Sequence, residues 1–231
     1  MDDIKWKKTV GIVGGFGPYS TLDFERMMFD YCREKLPGMR ANEGYPPMIT
    51  RNCNFIPFII DGVDKRLNPE LLSIMKKLQH DKADFLVIPS NTPHIFFDEL
   101  ASSVDIPVLN IVEEAVKAVN ERSGRRVGII ATHPEVNELY RKHLSEHDIE
   151  LESPNEDTQK RITPFIEGFM AGRREGAKDF FVGLMDIFRD LDTTILACTE
   201  LPEILGDDMK KYRTIDTMRV LAKATVDYAL T

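Results

Sequence analysis

Residues 84–92 read Asp-Phe-Leu-Val-Ile-Pro-Ser-Asn-Thr, and residues 193–200 read Thr-Thr-Ile-Leu-Ala-Cys-Thr-Glu. Each stretch is a short apolar run that ends in a candidate nucleophile with a threonine close behind it. A buried strand of this kind presents its last polar side chain at the carboxyl edge of a parallel sheet, where open α/β folds bind ligands. The pattern predicts that Ser90 and Cys198, from two halves of the chain, face one cleft.

Strands and helices alternate along the chain, which predicts an α/β fold with parallel sheets. The order restarts midway, because Val-Gly-Ile at 127–129 repeats Val-Gly-Ile at 10–12. We therefore predict two similar domains, each a parallel sheet flanked by helices, with the active site in the cleft between them. The first domain is expected to comprise residues 1–110 plus 212–231, and the second residues 111–211.

Three further local predictions concern loops and the end of the chain. The strand at 48–52 is followed by a predicted loop that reaches the helix beginning at Pro69. No strand is predicted between the helices near 135–145 and 155–170. The last strand and helix, at 212–230, are predicted to pack back on the first half of the chain.

Composition excludes several classes of function. The net charge of −8 argues against nucleic acid, whose recognition needs a basic surface. No apolar run approaches the roughly 20 residues of a membrane span, and the first residues lack the apolar centre of a signal peptide. Three cysteines fit a reducing cytoplasm, and no Cys or His spacing indicates a metal site. We expect a soluble cytoplasmic protein with no nucleic-acid or membrane partner.

A glycine-rich turn at 14–17 follows the first strand and precedes a helix. A dinucleotide site needs G-x-G-x-x-G here, but Ser20 replaces the third glycine and Pro18 interrupts the turn. Two other interpretations remain open. Ser20 or Thr21 caps the helix, or exposed backbone N–H groups of the turn bind a small carboxylate.

Cys198 precedes a predicted helix, whose N-terminus is expected to lower the pKa of the thiol. A lone cysteine after an apolar strand is usually a buried structural residue, but the duplicated context favours a functional one. Cys53 ends another strand and is a weaker candidate for the cleft. A serine hydrolase would need a base beside Ser90, for which His94 is a weak candidate, and the G-x-S-x-G elbow is absent.

Four motifs together resemble the aspartate/glutamate racemase superfamily, most closely its aspartate racemase branch. They are Gly14–Pro18, Pro89–His94, Glu167–Gly172 and Ala197–Glu200, and with the intervening elements they cover nearly the whole chain. The resemblance implies a two-domain α/β isomerase, often a homodimer, that acts on an amino acid or related carboxylate. It implies no pyridoxal phosphate, metal or other cofactor.

In that family a cysteine follows each of two strands, and the two thiols act on opposite faces of the α-carbon. The resemblance places Cys198 and Ser90 at these catalytic positions. It implies that Asn91, Thr92 and Thr199 hold the substrate α-carboxylate. The full implied substrate-binding set is Gly15, Phe16, Ile59, Asn91, Thr92, Thr132, Met170 and Thr199.

Three departures from the family pattern bear on function. The first cysteine is Ser90, and Ile59 and Met170 stand where aspartate racemases carry an arginine and a lysine for the side-chain carboxylate. The Ala-Thr-x-Gly-Thr pattern becomes Ala-Thr-His-Pro-Glu at 131–135, which weakens the case for a further carboxylate contact. The loss of the arginine and the lysine argues against aspartate as the preferred substrate.

The sequence therefore predicts a cofactor-independent amino-acid racemase in which Cys198 is the acid/base for the L-enantiomer. Ser90 replaces the second thiol, and a serine hydroxyl is not an alkoxide at neutral pH without an activating base. Two alternatives stay open: a decarboxylase or isomerase of the same superfamily that uses one cysteine, and a non-catalytic binder of small carboxylates.

Overall fold

The structure, a computed structural model, describes residues 6–17, 19–38, 41–61 and 64–231. The first five residues, part of the segment judged to lack a signal peptide, and Pro18 of the glycine-rich turn lie outside these ranges. The chain divides into two compact units. One comprises Met1–Ile111 with Leu221–Thr231, and the other comprises Val112–Val220.

The first unit is built on a four-stranded parallel sheet. Its elements, in chain order, are β1 Val10–Gly14, α1 Ser20–Lys35, a 3₁₀ helix Ala41–Gly44, β2 Met48–Asn52, β3 Phe58–Asp61, β4 Asp64–Leu67, α2 Pro69–His80, β5 Phe85–Val87, a 3₁₀ helix Thr92–Phe96, α3 Phe97–Ser102 and β6 Val108–Leu109. The strand order across this sheet is β2-β1-β5-β6, while β3 and β4 form a separate antiparallel hairpin.

The second unit repeats the design with another four-stranded parallel sheet, in the order β10-β9-β7-β8. Its elements are α4 Ile111–Glu121, β7 Arg126–Ala131, α5 Pro134–Ser145, β8 Glu150–Glu152, α6 Glu156–Met170, α7 Ala177–Ile187, β9 Thr193–Ala197, α8 Leu201–Leu205, a 3₁₀ helix Gly206–Lys211, β10 Thr214–Asp216 and α9 Thr217–Leu230. The last turns of α9 belong to the first unit. The predicted α/β class with parallel sheets flanked by helices is confirmed.

Local sequence explains these elements. The strands β1 and β9 are buried along their whole length, as expected for parallel strands covered on both faces. The helix α2 buries Leu71, Met75 and Leu78 along one face, a helical spacing. It begins with Pro69 at a first-turn position, and the Asn68 side chain accepts a hydrogen bond from the Glu70 N–H.

An aspartate carboxylate fixes the start of each of the two strands that lead to a candidate nucleophile. Asp84, just before β5, accepts a hydrogen bond from the Thr9 N–H at 2.7 Å. Asp192, just before β9, accepts from the N–H groups of Arg125 and Arg126 at 2.8 and 2.9 Å. These backbone donors hold the pKa of Asp192 below its usual value, so the carboxylate is charged at neutral pH. Each contact fixes the start of one strand against its central neighbour.

Two of the loop interpretations are wrong. The stretch predicted as a loop before α2 contains the β3–β4 hairpin, and β8 lies between α5 and α6. β4 and β8 were missed because they lack an apolar run: β4 begins Asp-Lys-Arg, and β8 reads Glu-Leu-Glu. β3 reads Phe-Ile-Ile-Asp, and its apolar run was not recognised as a strand. Charged residues are common on edge strands, where cross-strand pairing rather than burial defines the element.

The prediction that residues 212–231 join the first half is wrong for the strand. β10 pairs in parallel with β9 of the second unit, with Ile215 opposite Ile195. The carbonyl of Arg213 accepts hydrogen bonds from the Thr194 N–H and the Thr193 hydroxyl, which fixes this pairing. Sequence order does not reveal which sheet edge a short strand selects, because its partner is set by contacts distant in sequence.

No helix within the described ranges is long and apolar enough to cross a membrane. Among the same residues, no three or more His, Cys, Asp or Glu side chains are grouped so as to hold a metal ion. All three cysteines are free thiols and buried.

Candidate active site

Ser90 follows β5 at the carboxyl edge of the first sheet. The chain leaves the strand at Val87 and turns so that the Ser90 N–H donates to the Ile88 carbonyl at 2.8 Å. Ser90 itself is half-buried, whereas Asn91 and Thr92 directly after it are buried. The strand end thus places these three predicted site residues together.

His94 supports the Ser90 loop through the main chain. Its Nδ1–H donates to the Ser90 carbonyl at 2.8 Å, and its Nε2 accepts from the Ile111 N–H at 3.4 Å. Burial lowers the pKa of His94 to about 4, so the ring is neutral at physiological pH. Both ring nitrogens are engaged with backbone groups, and the interpretation of His94 as a base for the Ser90 hydroxyl is therefore wrong.

The glycine-rich turn is held tightly from within. Gly15 has a φ of +92°, and a Cβ there would lie 2.5 Å from the carbonyl oxygen of Cys53. Its N–H donates to the Thr21 hydroxyl at 3.0 Å, and the Cys53 N–H donates to the Gly14 carbonyl at 2.9 Å. The Gly15 N–H is thus used inside the turn rather than offered to a carboxylate. Burial raises the pKa of the Cys53 thiol to about 11, which keeps it neutral.

The hairpin brings a cation next to Ile59. Phe16 of the glycine-rich turn stacks on Phe58, with ring centroids 6.4 Å apart. Ile59 is 39% exposed and pairs directly across the hairpin with Arg66, so both side chains lie on the same face. Arg66 is exposed, and its Nε lies 3.5 Å from an oxygen of Asp64. The sequence interpretation missed Arg66, because only a hairpin places it opposite Ile59.

Cys198 follows β9 at the carboxyl edge of the second sheet and is 3% exposed. Its Sγ donates to the Oε2 of Glu200 at 3.2 Å, and the Thr199 hydroxyl donates to the same oxygen at 2.9 Å. Glu200 entered the sequence interpretation only as part of a motif. Its signal was its position two residues beyond the thiol, at the N-cap of α8.

The thiol of Cys198 is harder to ionise than the sequence suggested. Burial raises its pKa well above the ordinary value, and the negative charge of Glu200 raises it further. A hydrogen bond with the Thr132 side chain acts in the opposite direction. The expectation that the pKa is lowered is wrong for the net shift: the backbone N–H of Glu200, at the start of α8, does lower the pKa, but burial outweighs it.

Two more predicted site residues of the second unit are Thr132, just after β7, and Met170, at the end of α6. Next to Thr132, His133 is partly buried, and burial lowers its pKa, while Glu135 and Glu167 partly oppose this shift. Met170, the last residue of α6, is 37% exposed and lies three residues after Glu167. An exposed methionine offers an apolar, adaptable contact surface rather than an anion site.

Comparisons with known proteins agree with this architecture. The Asp/Glu/Hydantoin racemase family matches residues 13–225. The broad specificity amino-acid racemase RacX of Bacillus subtilis is 28% identical over 222 residues, which cover 94% of this chain and 96% of RacX. The crystal structure of an aspartate racemase homologue from Pyrococcus horikoshii is 25% identical, with a TM-score of 0.76 over 96% of this chain and 99% of that one. Picrophilus torridus aspartate racemase is 22% identical, with a TM-score of 0.79 over 96% and 94% of the two chains, and shares the fold.

Proposed function

The chain belongs to the Asp/Glu/Hydantoin racemase family, and from this premise we propose that it interconverts amino-acid enantiomers by removing and returning the α-proton. Its homologues are amino-acid racemases, which are isomerases. The observation that carries the proposal is the hydrogen bond from the Cys198 thiol to Glu200, at the end of a buried strand. A thiol with an adjacent proton acceptor is equipped for general acid–base chemistry.

In the proposed mechanism Glu200 and Cys198 share one proton. Transfer of the thiol proton to the Glu200 carboxylate gives a thiolate and a neutral carboxylic acid. The thiolate then removes the α-proton of the L-enantiomer and becomes a thiol again, while Glu200 keeps the proton it received. Return of a proton from Cys198 to the carbanion, and of the Glu200 proton to sulfur, restores the starting state.

On the opposite face of the α-carbon, we assign the acid/base role to Ser90. A serine hydroxyl can donate a proton to a carbanion but is a very poor base without activation, and His94 is committed to the backbone. The equilibrium constant between enantiomers is one, so a slow step on the D-face lowers kcat/KM equally in both directions. Exchange of the L-proton with solvent requires only Cys198 and should therefore outrun inversion.

We propose an amino acid with an uncharged side chain as the substrate. Ile59 and Met170 stand where aspartate racemases are expected to carry cations, and both present apolar surface. RacX, a relative over nearly the whole chain, is named for broad specificity. The resemblance assigns the α-carboxylate to Asn91, Thr92 and Thr199, and it places Gly15, Phe16 and Thr132 in the wider substrate-binding set.

Combining Ile59→Arg with Met170→Lys is expected to raise kcat/KM for L-aspartate at least about tenfold relative to L-alanine. Each new cation supplies a charge-assisted hydrogen bond, a contact worth about 1.5–3 kcal/mol. The ratio is measured from α-proton exchange of both amino acids. The matched control is the uncharged pair Ile59→Gln with Met170→Gln. A wild-type preference for aspartate that disappears in Arg66→Met would instead identify Arg66 as the carboxylate-binding cation.

Solvent-deuterium incorporation tests the proposed function. The protein is incubated in D₂O with single L- and D-amino acids, loss of the α-proton is followed by NMR, and enantiomers are separated by chiral chromatography. We expect exchange of an L-amino acid to exceed its inversion. Absence of exchange with every amino acid would contradict the proposal and favour decarboxylation of malonate-type acids or non-catalytic carboxylate binding.

The proposal includes a cytoplasmic homodimer that works without a cofactor. Both assembly and location come from the family resemblance and the composition, and both are predictions. Light scattering of the purified protein should give twice the 26.4 kDa chain mass. Activity should survive exhaustive treatment with a chelator.

A further inference from the structure

A polar cluster in the second unit, buried at Asn137 and Gln159 and partly buried at Thr132 and Thr163, surrounds the end of β7. Thr163, on α6, donates its hydroxyl to the Thr132 carbonyl at 2.7 Å. Gln159, one turn earlier on α6, donates its amide to the carbonyls of Ala131 and Thr132 at 3.0 and 3.4 Å. The two residues after which the chain leaves the strand are thus held by side chains of one helix.

The cluster has a second support that fixes the orientation of Gln159. The Asn137 amide of α5 donates to the Oε1 of Gln159 at 2.9 Å, and both side chains are buried, at 4% and 9% exposure. A buried amide costs free energy unless its hydrogen bonds are made. Apolar residues would pack α6 against the sheet equally well. The polar contacts therefore specify the position of the turn.

This turn lies beside Cys198. β7 and β9 are hydrogen-bonded neighbours, and their last paired residues are Ala131 and Ala197. Thr132 and Cys198 therefore come next to each other, one residue beyond the end of the same parallel pair. The proximity of the Thr132 side chain acts to lower the pKa of the thiol, in the sense that favours the thiolate.

We propose that Thr163 and Gln159 are positioning residues for Cys198. They hold the backbone carbonyl of Thr132 in place, so that the hydroxyl of the Thr132 side chain can donate to the sulfur when the thiol loses its proton. Thr132 and Glu200 then act on the sulfur in turn. Glu200 receives the thiol proton, and the Thr132 hydroxyl stabilises the thiolate that remains. The role of Cys198 as acid/base rests on the proposed function, whereas the predicted effect on the thiol can be measured without substrate.

The charged and titratable groups around this turn do not interfere with a measurement of the pH at which the Cys198 thiol ionises. Glu200 lies two residues after Cys198, His133 follows Thr132 directly, and Glu135 and Glu167 face His133 from α5 and α6. Burial lowers the pKa of His133, so its ring is already neutral in the alkaline range where the thiol ionises. A pH midpoint in that range at Cys198 therefore reports on the thiol.

The test is the pH dependence of Cys198 alkylation by iodoacetamide, with mass spectrometry used to separate its peptide from those of the other cysteines. Thr163→Val should slow alkylation about three- to tenfold at a given pH below the midpoint, and raise the midpoint by about half to one pH unit. Thr163→Ser keeps the hydroxyl and should restore the wild-type profile. Thr158→Val, the same chemical change earlier on α6, is the matched control and should leave it unchanged.

Thr132→Val provides a second variant that leaves α6 intact, and its midpoint should rise at least as far. A folded Thr163→Val or Thr132→Val protein with the wild-type midpoint would overturn the inference. If Thr163→Val does not fold, the Thr132→Val midpoint decides. A shifted midpoint in a protein without exchange activity would support the positioning role and contradict the racemase; active enzyme with no shift would do the reverse.

Discussion

Replacement of Cys198 by alanine is expected to lower the rate of L-amino-acid α-proton exchange by about 10³-fold, within the range typical for loss of a general acid–base group. The thiol is the group in the second unit that both faces a proton acceptor and ends a buried strand. Its removal should abolish inversion as well, because racemisation in one direction removes a proton from the L-face and in the other adds one to it. NMR of the α-proton in D₂O and chiral chromatography measure the two rates.

The matched control for this change is Cys53→Ala, which removes another buried thiol at a strand end. The Cys53 thiol has a pKa of about 11 and packs against the core of the first unit, so it is expected to take no part in proton transfer. Exchange should stay within severalfold of the wild type in this control. Retention of exchange by folded Cys198→Ala protein would show that the α-proton is removed by another group.

Replacement of Ser90 by cysteine is expected to raise the rate of inversion about ten- to a hundredfold while leaving exchange of the L-proton nearly unchanged. A thiol has a pKa of about 8.5 and yields an effective base, whereas an unactivated serine hydroxyl does not. At about 1.4 kcal/mol per factor of ten, the change amounts to about 1.4–2.8 kcal/mol of barrier on the D-face. The ratio of inversion to exchange isolates this face from the Cys198 step.

Ser90→Ala is the companion variant and separates two roles of the serine. If the hydroxyl delivers the proton to the carbanion, inversion should fall further in this variant while L-face exchange continues. Equal inversion in the alanine, serine and cysteine proteins would contradict any role of position 90 in proton transfer. Such a result would favour reprotonation by water from that side.

Much of the fold was accessible from sequence because its elements are local. The buried strands β5 and β9 are short apolar runs, and the repeated Val-Gly-Ile marks the central strands β1 and β7 of the two sheets. The ends of such strands lie at a predictable sheet edge, which is why the sequence alone indicates Ser90 and Cys198 as candidates. The strands β4 and β8 were not predicted, because charged edge strands carry no such pattern.

The properties of the candidate site were less accessible. The neutral ring of His94 follows from hydrogen bonds to two backbone groups, and the raised pKa of the Cys198 thiol follows from burial. A helix start after the cysteine suggested the opposite shift, but five residues of α8 do not offset the desolvation of a buried thiol. Burial is a sum over neighbours from many parts of the chain and is not written in any single motif.

The sequence by itself determined the α/β class, the two parallel sheets and the strand ends that carry Ser90 and Cys198, because these depend on local hydrophobic patterns. Only the tertiary structure decided that β10 joins β9, that Arg66 lies opposite Ile59, and that α6 holds the Thr132 turn beside the thiol. Those features are pairings between residues distant in the chain, and the free energy that selects them comes from register, burial and hydrogen bonds formed on folding.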